Sequence, residues 1–270
     1  MKSSSKPKVS IITGAFNVRK DEADLAIQSI LDQTFEDFEF LICNDGSTND
    51  TGEILQRWAK KDKRIVVLEN SVNAGLMVSL NKCLEKAKGE YIARMDLDDY
   101  CTPDRLEKQV SFLDGNSDYD IVTSNSRLFD DDHKKPYGTR RIPEYPVARD
   151  MLFNSPFLHG GAMVRKSAFD KVNGYRVAKE TWRAEDYDLW MRMYAAGSKG
   201  YNIQDALYYI REDKNAYSRR KYKYRIQEAV VRYKGFKSLG LLPGGLPYVI
   251  KPLIVGLIPA IVMKKMRSNG

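Results

Sequence analysis

Apolar positions in the first hundred residues follow two alternating rhythms. KVSIIT (8–13), FEFLIC (38–43), RIVVLE (64–69) and EYIARM (90–95) are short apolar runs rich in β-branched and aromatic residues, the pattern of strands buried on both faces. Between them, DEADLAIQSILDQ (21–33), TGEILQRWAKK (51–61) and AGLMVSLNKCLEKAKG (74–89) carry apolar residues at helical spacing; in the first, Leu25, Ile27, Ile30 and Leu31 predict the packed face. Strand–helix alternation predicts an α/β fold with a mostly parallel sheet and helices on both faces. In such sheets ligands collect beyond the carboxyl ends of the strands. The polar clusters fall there: Phe16-Asn17, then Asn44-Asp45-Gly46-Ser47, then Asn73 and Gly75, then Asp96, Asp98 and Asp99. A further helix is predicted in AEDYDLWMRMYAAG (184–197), with Leu189, Met193 and Ala196 on one face and Gly197 as its terminator.

The last part of the chain has a different character. Residues 214–239 read as a basic helix with Tyr222, Ile226, Val230 and Tyr233 at helical spacing. After the breaker LLPGGLP comes an apolar run, YVIKPLIVGLIPAIVM (248–263), closed by KKMR. Lys251, Pro252 and Pro259 interrupt it, and it is short of the roughly 20 apolar residues of a spanning helix. It predicts an interfacial or re-entrant anchor, with Lys264, Lys265 and Arg267 near anionic headgroups. A segment packed on the domain or in a homodimer interface is the alternative for residues 241–263.

Charge sharpens this division. The 270 residues carry a formal net charge of +8, but residues 214–270 hold 13 Lys and Arg against one acid, Glu228. The preceding 213 residues are therefore mildly acidic, at −4. A basic tail points to anionic partners: a membrane surface, a pyrophosphate or nucleic acid. Cys43, Cys83 and Cys101 are odd in number and lack CxxC spacing, which predicts neither a zinc site nor a disulfide framework and favours a reducing compartment. The N-terminus has too short an apolar run for a secretory signal. Neither GxGxxG nor GxxxxGK[ST] occurs, so no dinucleotide fingerprint or P-loop is indicated.

The densest chemistry lies in GEYIARMDLDDY (89–100). In an extended chain Asp96 and Asp98 project to one side. Two such carboxylates repel unless a cation lies between them, and an all-oxygen pair suits Mg²⁺ or Mn²⁺, which keep positions for phosphate oxygens. A polar loop before a helix capped by Asp104 is the structural alternative. Glu185-Asp186 opens the later helix, where acids also favour the helix dipole.

The ordered series TGAFN, QTFEDFEFLICNDGSTNDT, ENSVNAG, GEYIARMDLDD and WRAEDYDLWMRM, spanning roughly residues 7–215, resembles the family-2 inverting glycosyltransferases of the GT-A fold, in particular bacterial enzymes that build capsule, lipopolysaccharide or exopolysaccharide glycans. The resemblance implies metal-dependent transfer of a hexosyl or N-acetylhexosaminyl group from a nucleotide-diphosphate donor, a UDP-sugar by resemblance, to a saccharide acceptor. By resemblance Asp45 receives the uracil N3–H, Phe16 stacks on the base, and Asn73 and Arg94 belong to the donor site. Asp96 contacts the ribose or the metal through water, and Asp98 holds the metal. Asp186 is the general base, while Glu185, His159 and Trp182 belong to the acceptor side. The acceptor is implied to hang from a polyprenyl pyrophosphate at the inner face of a bacterial plasma membrane.

The chain departs from the family twice. Many members have TPTYN where this one has TGAFN, and many have a histidine, sometimes a metal ligand, where it has Asp213. Arg219 and Arg220 would reach a pyrophosphate or lie on a solvated face; His133 has no role. The expected division is residues 1–100 for nucleotide sugar, 101–213 for acceptor, and 214–270 as extension. Rival readings are a metal-dependent nucleotidyltransferase, which needs no Asp186, and a non-catalytic or nucleic-acid-binding protein on the same scaffold.

Overall fold

The computed structural model describes residues 6–131, 135–212 and 221–257. Three strand–helix steps and a fourth strand open the chain: β1 (Val9–Ala15), α1 (Lys20–Leu31), β2 (Phe38–Asp45), α2 (Thr51–Lys61), β3 (Ile65–Asn70), α3 (Leu76–Lys86) and β4 (Tyr91–Arg94). There follow β5 (Tyr100–Cys101), α4 (Arg105–Gly115), β6 (Ile121–Phe129), β7 (Tyr137–Arg140), β8 (Met163–Arg165), α5 (Lys166–Lys171), α6 (Glu185–Ala195) and β9 (Gly200–Arg211). Two helices, α7 (Tyr222–Ser238) and α8 (Leu246–Gly256), close the described chain. The basic helix thus begins at Tyr222. Asp213, Arg219, Arg220, His133 and the end of the apolar run from residue 258, with Pro259, Lys264, Lys265 and Arg267, lie outside the described residues.

One sheet runs through both halves in the order β3-β2-β1-β4-β8-β6-β9-β5, with β7 paired to β6. Strands β1 to β4 are parallel, β8 is antiparallel to both β4 and β6, and β6 is parallel to β9. The apolar runs lack alternation because both faces are covered. Val9, Ile11, Phe40 and Ile42 pack with Ala23, Ile27, Ile54, Trp58, Leu106 and Val110, the faces of α1, α2 and α4. Their neighbours Ile12, Leu41 and Cys43 face the other way, against Met77, Leu80, Leu189, Trp190, Val231 and Phe236 from α3, α6 and α7.

One packing expectation is corrected. Leu25 is 40% exposed; the buried stripe of α1 is Ala23, Ala26, Ile27 and Ile30, a turn that includes small residues because α1 lies close to the sheet. All three cysteines are buried free thiols.

The extension packs tightly at one point and loosely elsewhere. A Cβ on Gly235 of α7 would lie 2.1 Å from Met191 Sδ of α6, so only glycine permits this approach. Yet Ile226, Val230 and Tyr233 on α7, and Leu246, Ile250, Ile254 and Leu257 on α8, are exposed at helical spacing. Among the described residues no helix is long and apolar enough to cross a membrane.

Candidate active site

The carboxyl ends of β1 to β4 form the floor of a cleft. A cavity of about 310 Å³ within it is lined by Gly14–Phe16, Asp45, Asn73, Gly75–Met77, Ser79, Trp182, Arg183 and Glu185. That size suits a small organic ligand. Two turns fix its mouth. Gly46 has φ +65°, and an added Cβ would stand 2.3 Å from the Val72 carbonyl carbon, so the chain can double back beside residues 72–73 only with glycine here. Asn17, itself at φ +49°, receives the Thr48 amide on its side-chain oxygen at 2.9 Å, while its own amide donates to Ser47 Oγ at 3.0 Å. This clamp joins the loops after β1 and β2 and presents the half-exposed Phe16 ring to the cleft.

Asp45 is buried under the cleft floor. Its Oδ1 accepts from Asn70 Nδ2 at 2.7 Å and the Ala74 amide at 3.0 Å; Oδ2 accepts from the Gly75 amide at 2.8 Å. Burial opposes its charge, but these donors outweigh it and hold the carboxyl below its ordinary range. Oδ1 carries two of these bonds and Oδ2 one, and the Ser79 hydroxyl also bears on the carboxylate. Asp45 therefore ties β2 to the Asn73–Gly75 turn; the Asx turn at this corner belongs to Asn44, whose Oδ1 accepts the Ser47 amide at 3.2 Å. Asn73 is exposed and lines the cleft.

The acidic cluster follows β4, the neighbour of β1. Arg94 is 2% exposed and lies beneath Asp96, with Nη2 2.5 Å from Asp96 Oδ1 and Nη1 donating to the Met95 carbonyl. Asp98 keeps an exposed edge, but the surrounding protein and the nearby Asp96 charge push its carboxyl up to about 6. Asp99 is buried; burial and the same two neighbours raise it well above the ordinary range, and its Oδ1 accepts the Arg211 amide at 2.8 Å. Arg211 also donates from Nε to the Asp98 carbonyl at 3.0 Å, and its side chain pairs with Asp131 and Glu22. Arg94 from below and Arg211 from the side thus pin a loop that would otherwise repel itself.

Among the described residues no three His, Cys, Asp or Glu side chains form a metal cluster. Asp96 and Asp98 are nevertheless two incompletely neutralised carboxylates at a strand end. Such a donor set fits Mg²⁺ or Mn²⁺ held by one or two carboxylates together with substrate phosphates.

The loop before β8 meets this cluster. A Cβ on Gly160 would lie 2.7 Å from Asp96 Oδ2 and 2.6 Å from Tyr208 Oη. His159, expected on the acceptor side, instead turns inward. Its Nε2 lies 2.8 Å from Tyr175 Oη, it lines neither cavity described here, and burial, with Arg94 nearby, lowers it to about 3, so the ring is neutral.

Glu185 and Asp186 start α6. Burial raises both; the Asp186 charge carries Glu185 to about 7, and the Asp96 charge reaches both groups. Trp182 is half exposed, and its ring stands 3.6 Å from where a Gly75 Cβ would be, closing the cleft over Asp45 on that side. Beyond this wall lies a second cavity of about 630 Å³, lined by Arg140, Arg183–Tyr187, Tyr224, Arg225, Glu228 and Arg232 among others. Glu185 borders both spaces, Asp186 the second alone. The sequence reading missed Arg140, Arg183, Tyr208, Arg225 and Arg232. Only Arg183, adjacent to the acidic pair in WRAED, carried a local signal.

A cleft across parallel strand ends, with an acidic strand terminus on one side and a helix-borne carboxylate pair on the other, is the layout of a GT-A transferase. Residues 10–172 match the model of glycosyl transferase family 2, and the chain belongs to that family. It is similar to EpsE of Bacillus subtilis (strain 168), at 41% identity covering 98% of this chain and 95% of EpsE. It is also similar to the Escherichia coli UDP-Glc:alpha-D-GlcNAc-diphosphoundecaprenol beta-1,3-glucosyltransferase WfaP, at 28% identity covering 86% of this chain and 87% of WfaP. Among solved structures, Staphylococcus aureus TarS in complex with UDP-GlcNAc superposes with a TM-score of 0.71 at 18% identity, covering 90% of this chain and 73% of that one. The Pyrobaculum calidifontis mannosyltransferase PcManGT in complex with GDP-Man and Mn²⁺ gives 0.65 at 17%, covering 98% and 81%. These likenesses show the GT-A fold.

Proposed function

We propose that the protein transfers a sugar from a UDP-linked donor to a lipid-diphosphate-linked saccharide, with inversion, during assembly of a bacterial surface polysaccharide. The observation that carries this reading is the placement of Glu185 between two cavities: a nucleotide-sized cleft over Asp45 and a larger space holding Asp186. The names of EpsE's fellow relative WfaP, with its UDP-glucose donor and diphosphoundecaprenol acceptor, and of TarS bound to UDP-GlcNAc support the substrate classes.

In this mechanism Asp45 accepts the uracil N3–H and Phe16 stacks on the base. Asn73 borders the nucleotide, and Arg94 acts through Asp96, which it orients. Asp98, with Asp96, holds the divalent cation, which when bound neutralises charge on the departing diphosphate. Asp186 takes the proton of the acceptor hydroxyl. The acceptor oxygen bonds to the anomeric carbon as the carbon–oxygen bond to the diphosphate breaks, on the opposite face. Trp182 and Glu185 border the reacting sugars. Residues 1–100 serve the donor, 101–213 the acceptor, and 214–270 the membrane: the apolar stripes on α7 and α8 are exposed, and the sequence beyond them continues apolar and ends in KKMR.

The test is UDP release from a panel of UDP-sugars with Mn²⁺, Mg²⁺ or EDTA, beside Asp98→Ala. Slow metal-dependent hydrolysis of one donor, lost in the variant, is expected. No binding or turnover of any nucleotide sugar would overturn the reading. Full activity of Asp186→Asn would favour a nucleotidyltransferase.

A further inference from the structure

The larger cavity is lined by more guanidinium groups than the protein itself neutralises. Four arginines converge on it from three places: Arg140 at the end of β7, Arg183 in the wall, and Arg225 and Arg232 on α7. Glu228 serves two of them, at 3.2 Å from Arg225 and 3.0 Å from Arg232. Arg232 is in addition buried and donates to the Leu152 carbonyl at 3.0 Å, which makes it part of the packing of α7. Arg140 and Arg183 are exposed and have no ion-pair partner among the described residues. Arg183 lies over the Tyr224 ring at 5.0 Å, and Lys223 Nζ approaches the same ring at 5.1 Å, so a third cation stands close by.

The backbone adds a second observation. Arg183 has φ +63°, the left-handed region that a long side chain rarely enters, and it is the residue two before Glu185. Such a conformation costs about 1–3 kcal/mol and persists where the surroundings over-determine it, commonly at binding sites. Here it places one side chain where both cavities meet. A neutral sugar does not call for unpaired guanidinium groups; carboxylates, amides and aromatic rings serve it. A planar fork of N–H donors matches phosphate oxygens.

We infer that Arg183 and Arg140, both lining this cavity, form an anion subsite that reads the diphosphate of the acceptor. The inference deepens the transferase reading above and rests on it. Arg183 also lines the cleft over Asp45, so the subsite abuts the donor side, whose diphosphate the Asp96–Asp98 side serves. It makes the two arginines specificity-determining: they hold the charged end of the acceptor while its sugar reaches Asp186.

The experiment titrates the full chain, saturated with UDP and Mg²⁺ so that the nucleotide side is filled, with geranyl diphosphate, inorganic pyrophosphate or uncharged geraniol. Geranyl diphosphate binding is expected to weaken at least tenfold in Arg183→Ala and in Arg140→Ala, with geraniol binding unchanged, and to recover in part in Arg183→Lys. Pyrophosphate with the same arginine dependence supports recognition of the diphosphate itself. Pyrophosphate without binding, beside arginine-dependent geranyl diphosphate, supports a diphosphate that must be lipid-borne. Geranyl diphosphate affinity equal in wild type and both variants, or a parallel loss of geraniol, overturns the inference. Failure of the wild type to bind UDP would instead strike the transferase reading, so the two failures are told apart.

Discussion

Asp186 and Glu185 occupy the first turn of α6, where exposed amides would stabilise charge, yet burial raises both carboxyls and the Asp186 charge raises Glu185 further. In the proposed mechanism Asp186 acts ionised, so kcat should fall as pH drops through an acid limb that lies above the ordinary carboxylate range. Asp186→Asn should cut kcat by about 10²–10⁴ with donor affinity retained, read by steady-state kinetics and UDP-sugar titration. The same shift has a stability sign. Glu185 binds its proton more tightly folded than unfolded, so its contribution is complete below about 4.5 and lost as pH rises through about 7. Glu185→Gln should therefore raise Tm at pH 8, by about 2–4 °C for each kcal/mol recovered, and change it little at pH 4.5. Equal effects at both pH values would show that charge is not the cause.

At the scale of elements, the donor cleft depends on turns more than on the strands that carry them. Asp45 is useful only because the chain reverses at Gly46 and brings the 72–75 segment back over its carboxylate. Gly46→Ala would force a Cβ into the Val72 backbone and a left-handed conformation onto alanine. A loss of more than about 1 kcal/mol of stability, read by denaturant unfolding, is expected, with UDP affinity falling in the same variant. Unchanged UDP affinity in a destabilised variant would separate the turn from the site. The elements of the first half were legible because each strand and helix is long enough to show its period: α2 runs Thr51–Lys61, the bounds its pattern predicts. In the second half the helices α6 and α7 were legible too, but the strands were not. Strands β5 and β8 have two and three residues, and β9 shifts register against β6 at Asn125, so no periodicity survives to be read.

Across the whole molecule, α7 and α8 turn two apolar stripes away from the sheet. Ile226, Val230 and Tyr233 on one and Leu246, Ile250, Ile254 and Leu257 on the other stay in contact with solvent while Val231 and Phe236 fill the core. Paired with the basic tail, this face suits an anionic bilayer surface. Binding to vesicles containing anionic lipid should weaken at least tenfold in an Ile226→Glu, Ile250→Glu double variant and should also weaken with salt. Vesicle binding that survives both, or a homodimer that the variant dissociates, would assign the face to a protein contact instead.

The sequence alone determined the βα series and the polar clusters at the strand ends, because these rest on local pattern: short apolar runs alternating with period-3.6 helices, a glycine after Asp45, aspartates two positions apart, an acidic pair opening a helix; the ordered motifs carried the family. Tertiary structure decided what lies across from what. It turned His159 inward to Tyr175, set Arg94 beneath Asp96, left Leu25 in solvent, and brought Arg140 and Arg225, 85 positions apart, around one cavity with Arg183. No local pattern encodes such meetings, since they depend on how whole elements pack, and it is packing that determines which charges are neutralised and which remain for a substrate.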